Sequence, residues 1–193
     1  MRPTLIIIHS ADRRMKENDI VLKPAVHSDL IKIHQWLNLD IILEYFGGRD
    51  RDRPSIEDIE NEYGPQHNPN LLMIYYMNKP VGFIDVFEFS NETNIRHGLS
   101  ENEKDVFSFD IVVGEFEVQN KGIGSTALNL LLQLLFIEKS ANKVVLDTYV
   151  WHKQAIRCYE KCGFRITRIL KNHEKYEGKG ADVVFMETHS VRK

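Results

Sequence analysis

Gln119-Asn120-Lys121-Gly122-Ile123-Gly124-Ser125 follows an apolar strand-like run at 106–113 and opens the longest apolar helical stretch of the chain, 122–137. Glycines at the head of a helix leave backbone N–H groups bare, and the positive end of the helix dipole lies behind them. Gly122 and Gly124 carry no side chain to keep a ligand away, and Lys121 adds a full positive charge. The stretch therefore predicts a phosphate or pyrophosphate site, against the plainer alternative of a glycine turn that merely starts a helix. It is not a Walker A loop, because no G-x-x-x-x-G-K-[ST] occurs. It is a poor dinucleotide fingerprint, because the third glycine is missing and the motif comes late in the chain.

Working outward, residues 20–23 read as a short strand. Ser28-Asp29 then cap a helix whose apolar side is Leu30, Ile33, Trp36 and Leu37. Gly47-Gly48 break the chain, and Ser55 with Asp58 starts a second, acidic helix as far as Tyr63. Residues 71–77 and 81–90 read as a hairpin that turns at Asn78-Lys79-Pro80, and 91–104 as a long polar loop. Downstream, Ile123, Ala127, Leu130, Leu131, Leu134 and Leu135 give 122–137 a broad buried face. A strand at 143–148 leads to a helix at 154–162, stopped by Gly163, and 165–170 and 183–188 are the last strands. This order predicts an α/β (α+β) mixed sheet with helices on both faces. Residues 20–190 form one domain, and 1–19 are either a leader or an extra strand.

The 193 residues, 42% hydrophobic and 27% charged, suit one large domain with a real core and exclude global disorder. A net charge of -3 excludes a wholesale basic nucleic-acid binder. The apolar run at 5–8 is too short for a signal h-region or a membrane span. The expectation is a soluble, cytoplasmic protein with no nucleic-acid or membrane partner. Cys158 and Cys162, four apart on a helix, read as two reduced thiols. The eight histidines show no H-E-x-x-H or other ligand spacing, which predicts no metal.

The pattern Gln119-x-x-Gly122-x-Gly124 after a strand resembles the acetyl-CoA signature of the GNAT N-acetyltransferases. A second motif, Ala155-x-x-x-Tyr159-x-Lys161-x-Gly163-Phe164, resembles the helix-turn-strand of the same family. The resemblance covers about residues 20 to 188 and implies the GNAT fold, a mostly antiparallel twisted sheet of about seven strands. Within the family the chain is most similar to the aminoglycoside 6'-N-acetyltransferases. That likeness rests on Trp36-Leu37, Leu43-Glu44-Tyr45-Phe46-Gly47-Gly48-Arg49-Asp50, Pro80-Val81-Gly82, Asp110, Ala155-Ile156-Arg157 and the His173-Glu174 to Glu177-Gly178-Lys179 region. The chain departs from it at Phe109 and at Ile111, where a glutamine is typical. It departs again after Asp147, where Thr148-Tyr149-Val150-Trp151-His152 replaces a proline-containing loop.

The resemblance implies acetyl-CoA as cosubstrate, held by Ile111, Val112, Val113, Gln119, Asn120, Lys121, Gly122, Ile123, Gly124, Ser125, Ala155 and Tyr159. Acyl transfer to an amine needs a group that holds the ammonium and takes its proton, and one that returns a proton to the thiolate. Asp110, a carboxylate in an otherwise apolar strand, is costly there unless paired or functional. The resemblance makes it the base or the substrate anchor; the alternative is a structural ion pair. Tyr159 is implied as the thiolate's proton donor, against a packing role. Trp36, Tyr45, Phe46, Asp110 and Asp147 are the candidate acceptor-binding residues. The acidic groups at 57–62, at Glu88, Glu92, Glu101, Glu103 and Asp105, at Asp147, and at Glu115 and Glu117 would form a rim that steers a polycation.

The leading expectation is an acetyl-CoA-dependent N-acetyltransferase of a cationic small molecule, an aminoglycoside first, acting as monomer or homodimer. The alternatives are acetylation of a siderophore-precursor hydroxylamine or another small amine, or a non-catalytic acetyl-CoA sensor.

Overall fold

The computed structural model describes residues 19–190 except Gly47, Arg51 and Asn120. The expectations for residues 1–18, as leader or extra strand, lie outside the described residues. Seven strands form one sheet: β1 (Ile20–Pro24), β2 (Leu72–Tyr76), β3 (Lys79–Glu88), β4 (Val106–Val113), β5 (Lys143–Tyr149), β6 (Arg165–Tyr176) and β7 (Lys179–His189). Their order is β1-β2-β3-β4-β5-β7-β6. Every neighbouring pair is antiparallel except β4–β5. This is the expected mixed, mostly antiparallel sheet.

Helices cover both faces. α1 (Leu30–Leu37) and α3 (Ile56–Tyr63) bury Ile33, Trp36, Ile59 and Tyr63 against Met73, Phe83 and Val112. α5 (Ile123–Gln133) and α6 (Lys153–Lys161) pack with Ile74, Ile84, Phe109 and Leu146 on the other face. Strand alternation explains this: Phe83 and Ile84 are neighbours in sequence and belong to opposite cores. Ser55 caps α3 through the Asp58 amide, and Asp58 returns the bond to the Ser55 amide, as the sequence predicts. No helix among the described residues is long and apolar enough to cross a membrane.

Four local readings are corrected. The first hairpin turns at Met77-Asn78, both at positive φ (49° and 63°), which is the backbone that a tight two-residue connection needs. Lys79 and Pro80 belong to β3, and Pro80 is tolerated beside the irregularity at Ile74/Tyr75. Two short helices were not foreseen: α2 (Asp40–Tyr45) in the break before Gly48, and α4 (Asn91–Arg96) in the expected polar loop, capped by Ser90. β6 and β7 run well beyond 165–170 and 183–188, and meet at a Glu177-Gly178 turn with φ of 47° and 69°.

Gly114, at the end of β4, lies flat beneath Trp36. A Cβ built there would stand 2.2 Å from two atoms of the indole, which is itself 2% exposed. Gly114→Ala is therefore expected to destabilise the fold by about 1–3 kcal/mol, the usual penalty of overpacking. Urea unfolding followed by tryptophan fluorescence checks this; an unchanged midpoint would show that the indole moves freely.

Candidate active site

The parallel pair β4–β5 stays together for only two registered positions, Val106 with Lys143 and Phe107 with Val144. Beyond them the strands diverge and the sheet splits. From Ser108 onward β4 has no registered partner on β5, so that side of the strand can face a ligand. The split opens a cavity of about 940 Å³, within the range of small-molecule sites. Ser108 to Val113 line one wall, Asp147 to Tyr149 the other, and the first turn of α5 and one side of α6 complete it.

At one end lies the glycine loop. Gly122 caps α5 in the left-handed region at φ 83°, a conformation that L side chains resist. Around Gly124, a built Cβ would meet only the Cys158 sulfur at 3.8 Å and a Val113 methyl at 4.0 Å, so the cradle is open on this side. Gln119 donates to the Val113 carbonyl at 3.4 Å and ties the loop to the end of β4. Ile111, Val112, Val113, Gln119, Gly122, Ile123, Gly124, Ser125, Ala155 and Tyr159 all line the cavity. Lys121 is exposed and outside the lining; Asn120 lies outside the described residues. The residues present fit a pyrophosphate: a bare helix N-terminus with two side-chain-free positions and room above them.

Tyr159 reaches the cavity from α6. Its ring packs edge-on against Phe109 and Phe164, each about 6.1 Å away between centroids. Burial pushes its phenol well above the ordinary range, so the hydroxyl stays protonated and able to donate. Cys158 and Cys162 are free thiols, and Cys162 lies 3.5 Å from the Ser125 carbonyl, tying α6 to α5.

Asp110 opens into the cavity from β4 and is exposed, so the burial cost expected for it does not arise. Its registered partner on β3 is Asp85, which puts two carboxylates side by side on one face of the sheet. Like charges in that position cost stability. Burial pushes the Asp85 carboxyl upward, and an Asn68 amide holds it at 2.7 Å. Asp85 is a site-neighbouring residue the sequence reading missed, although it interrupts an apolar run as plainly as Asp110 does.

Across the split, Asp147 on β5 is pushed up to about 6 by burial, with Glu174 adding and His173 and Arg96 opposing. His97, at the C-terminal end of α4, and His173, on β6, stand on either side of it at 3.7 and 3.9 Å. Burial, with His173, Arg96 and Arg168, pushes His97 down to about 4. His152 stacks on Tyr45 at 4.5 Å, and burial lowers it too. Tyr45 and Phe46 line the cavity, joined by Ile41, Phe87 and Phe89. His97, His152, His173 and Glu174 were missed as a group because they come from segments far apart in the chain.

Two expectations fail here. Trp36 does not face the cavity: it stacks on Phe83, donates its indole N–H to Glu115 at 3.0 Å, and belongs to the core. Of the expected acidic rim only Asp147 lines the cleft, where the other carboxylates are Asp110 and Glu174. Two of the other acids are paired outside it, Glu103 with Lys143 at 2.6 Å and Glu115 with Lys32 at 2.7 Å.

Comparison with known proteins gives the family and the fold. The acetyltransferase (GNAT) domain family matches residues 25–171. Aminoglycoside N(6')-acetyltransferases type 1 of Klebsiella pneumoniae and Serratia marcescens are 28% identical over 153 residues, 76% of this chain and 74% of theirs. In fold, the chain is similar to AAC(6')-Ib in complex with ribostamycin and coenzyme A, with a TM-score of 0.71 and 24% identity over 89% of this chain and 93% of that one. It is similar as well to spermidine N-acetyltransferase from Vibrio cholerae with CoA and spermine, with a TM-score of 0.72 and 23% identity over 89% and 95%.

Proposed function

The chain belongs to the GNAT N-acetyltransferase family, and on that premise we propose that its acceptor is a primary amine of a small polycationic molecule, an aminoglycoside acetylated at its 6'-amino group. Acetyl-CoA-dependent acetylation of an amine is the family's activity, and the relatives at 28% identity are aminoglycoside N(6')-acetyltransferases. The observation that carries the reading is the split between β4 and β5. It places Asp110, the glycine loop and Tyr159 on one cavity.

Acetyl-CoA would lie with its pyrophosphate on the α5 N-terminus and its thioester along the free side of β4. Asp110 would hold the acceptor ammonium and take its proton, leaving a neutral nitrogen to attack the acetyl carbonyl. As the new C–N bond forms and the C–S bond breaks, Tyr159 would give its proton to the departing thiolate. The phenol carries its proton at neutral pH, as that role requires; burial makes it a weaker acid and so favours a hydrogen bond to the thiolate in the transition state. Asp147 and Glu174 would hold further ammonium groups of the acceptor, and Tyr45 and Phe46 would cover its apolar faces.

A thiol-release assay with acetyl-CoA against aminoglycosides, spermidine, spermine and simple hydroxylamines tests this reading. Turnover is expected with the aminoglycosides first. Turnover with hydroxylamines alone would move the acceptor to a neutral nucleophile, and CoA binding with no turnover would make the protein a sensor. Tyr159→Phe is expected to lower turnover on the order of 10²-fold with CoA binding intact, because the ring keeps its packing. Wild-type turnover in that variant would assign Tyr159 to packing alone.

A further inference from the structure

We propose that His97, Asp147 and His173 form a binding site for zinc or a similar first-row divalent cation at the acceptor end of the cleft. Nδ1 of His97 and Nε2 of His173 are buried and have no hydrogen-bond partner. Both face the same Asp147 oxygen, at 3.7 and 3.9 Å. Those separations are too long for hydrogen bonds. They do match two ligands of one ion with bonds of about 2.0–2.1 Å, which stand roughly 3.3–4.1 Å apart depending on the angle at the metal. All three donor atoms lie within 4.8 Å of one another. The histidine–histidine edge therefore closes on an ion by a shift shorter than a bond.

The surroundings hold the donors in place. His97 packs against Phe89 at 5.0 Å and Phe185 at 5.9 Å between ring centroids. Its carbonyl accepts a bond from Arg168. His173 owes its direction to an irregularity in β6, where residues 171–173 stand against the single Asp182 of β7. Asp182 clasps the bulge through Lys171 and the Asn172 amide, at 2.6 and 3.0 Å. Bulges that re-aim a side chain are recurrent beside functional sites; here His173 stands behind the cavity wall, directed at Asp147.

Two imidazoles and one carboxylate are a donor set of open zinc sites, with a fourth position left for water or another ligand. Glu174, 4.0 Å from the His173 nitrogen, is within reach of that position. Arg96 and Arg168 oppose a cation. Arg96 is paired with Glu174 at 3.5 Å, and Arg168 lies over the Phe185 ring. Family chemistry has no step for such an ion. Its consequence rests on the acetyltransferase reading: the Asp147 carboxylate cannot hold both zinc and an acceptor ammonium, so zinc inhibits by competing with the amine.

Calorimetry with zinc on the full chain free of CoA is expected to give one saturable site, and cobalt in its place a visible ligand-field band. His97→Asn and His173→Gln, which keep a polar side chain, are each expected to weaken zinc by more than the ~10–100-fold cost of losing a second-shell partner. Unfolding midpoints identify any variant that does not fold, and the other then carries the test. No saturable binding, or wild-type affinity in a folded variant, overturns the site. In turnover, zinc is expected to raise the apparent KM for the amine and leave that for acetyl-CoA unchanged; the reverse pattern overturns the placement. The calorimetric arm needs no turnover, so a failure of the acetyltransferase reading would be seen separately.

Discussion

Asp110→Asn is expected to lower turnover at pH 7 by roughly 10²–10⁴-fold, the range of a lost general base, with acetyl-CoA affinity unchanged. The amide keeps the shape and removes the charge. The acceptor loses a charge-assisted contact of about 1.5–3 kcal/mol, and its proton loses an acceptor. In the proposed site acetyl-CoA would be held by the α5 N-terminus, several residues further on, and would not depend on that charge. Raising the pH should partly rescue the variant, because more of the amine is then neutral without help. The fold supplies an internal control. Asp110 stands opposite Asp85, and removing one of two like charges relieves a repulsion of up to about 1 kcal/mol, so a thermal melt beside the kinetics separates folding from catalysis. A destabilised protein with wild-type turnover per folded molecule would instead mark Asp110 as a structural ion-pair partner.

Gly124→Asp should separate folding from binding in opposite directions. The position lies in the first turn of α5, where a carboxylate favours the helix dipole by about 0.3–1 kcal/mol, and a Cβ has ordinary room. The same carboxylate repels a pyrophosphate and covers the amides that would bind it. Loss of two hydrogen bonds to a charged group, at about 1.5–3 kcal/mol each, corresponds to a fall in CoA affinity on the order of 10²–10⁴-fold. Calorimetry with CoA, beside a thermal melt, reads both effects. Wild-type affinity in a folded Gly124→Asp protein would move the pyrophosphate away from this loop.

The unforeseen features share a physical character. α4 buries only Asn94, so no apolar period announces it, and the Ser90 cap is its one local sign. β6 is an edge strand, largely exposed, so it lacks the alternation that marks a strand with one face in the core. Trp36 sits at a helical spacing that fits a core or a pocket wall equally well; the flat surface of Gly114 draws it inward. The acidic runs were readable as charge, but charge without position says nothing about which cleft it faces.

What the sequence determined by itself was local: the strands and helices with strong hydrophobic periods, the Ser55–Asp58 cap, the stop at Gly163, and the glycine loop at the head of α5. Each depends on residues within a few positions of one another, and backbone preference and hydrophobic period act over that range. The tertiary structure alone decided the rest. The β4–β5 split is a failure of pairing between segments some forty residues apart. The Asp85–Asp110 pair is a matter of register. The convergence of His97, Asp147 and His173 requires α4, β5 and a bulge in β6 to meet. None of these has a local signature, because what places the groups is the packing of distant elements, which the residues flanking each group do not specify.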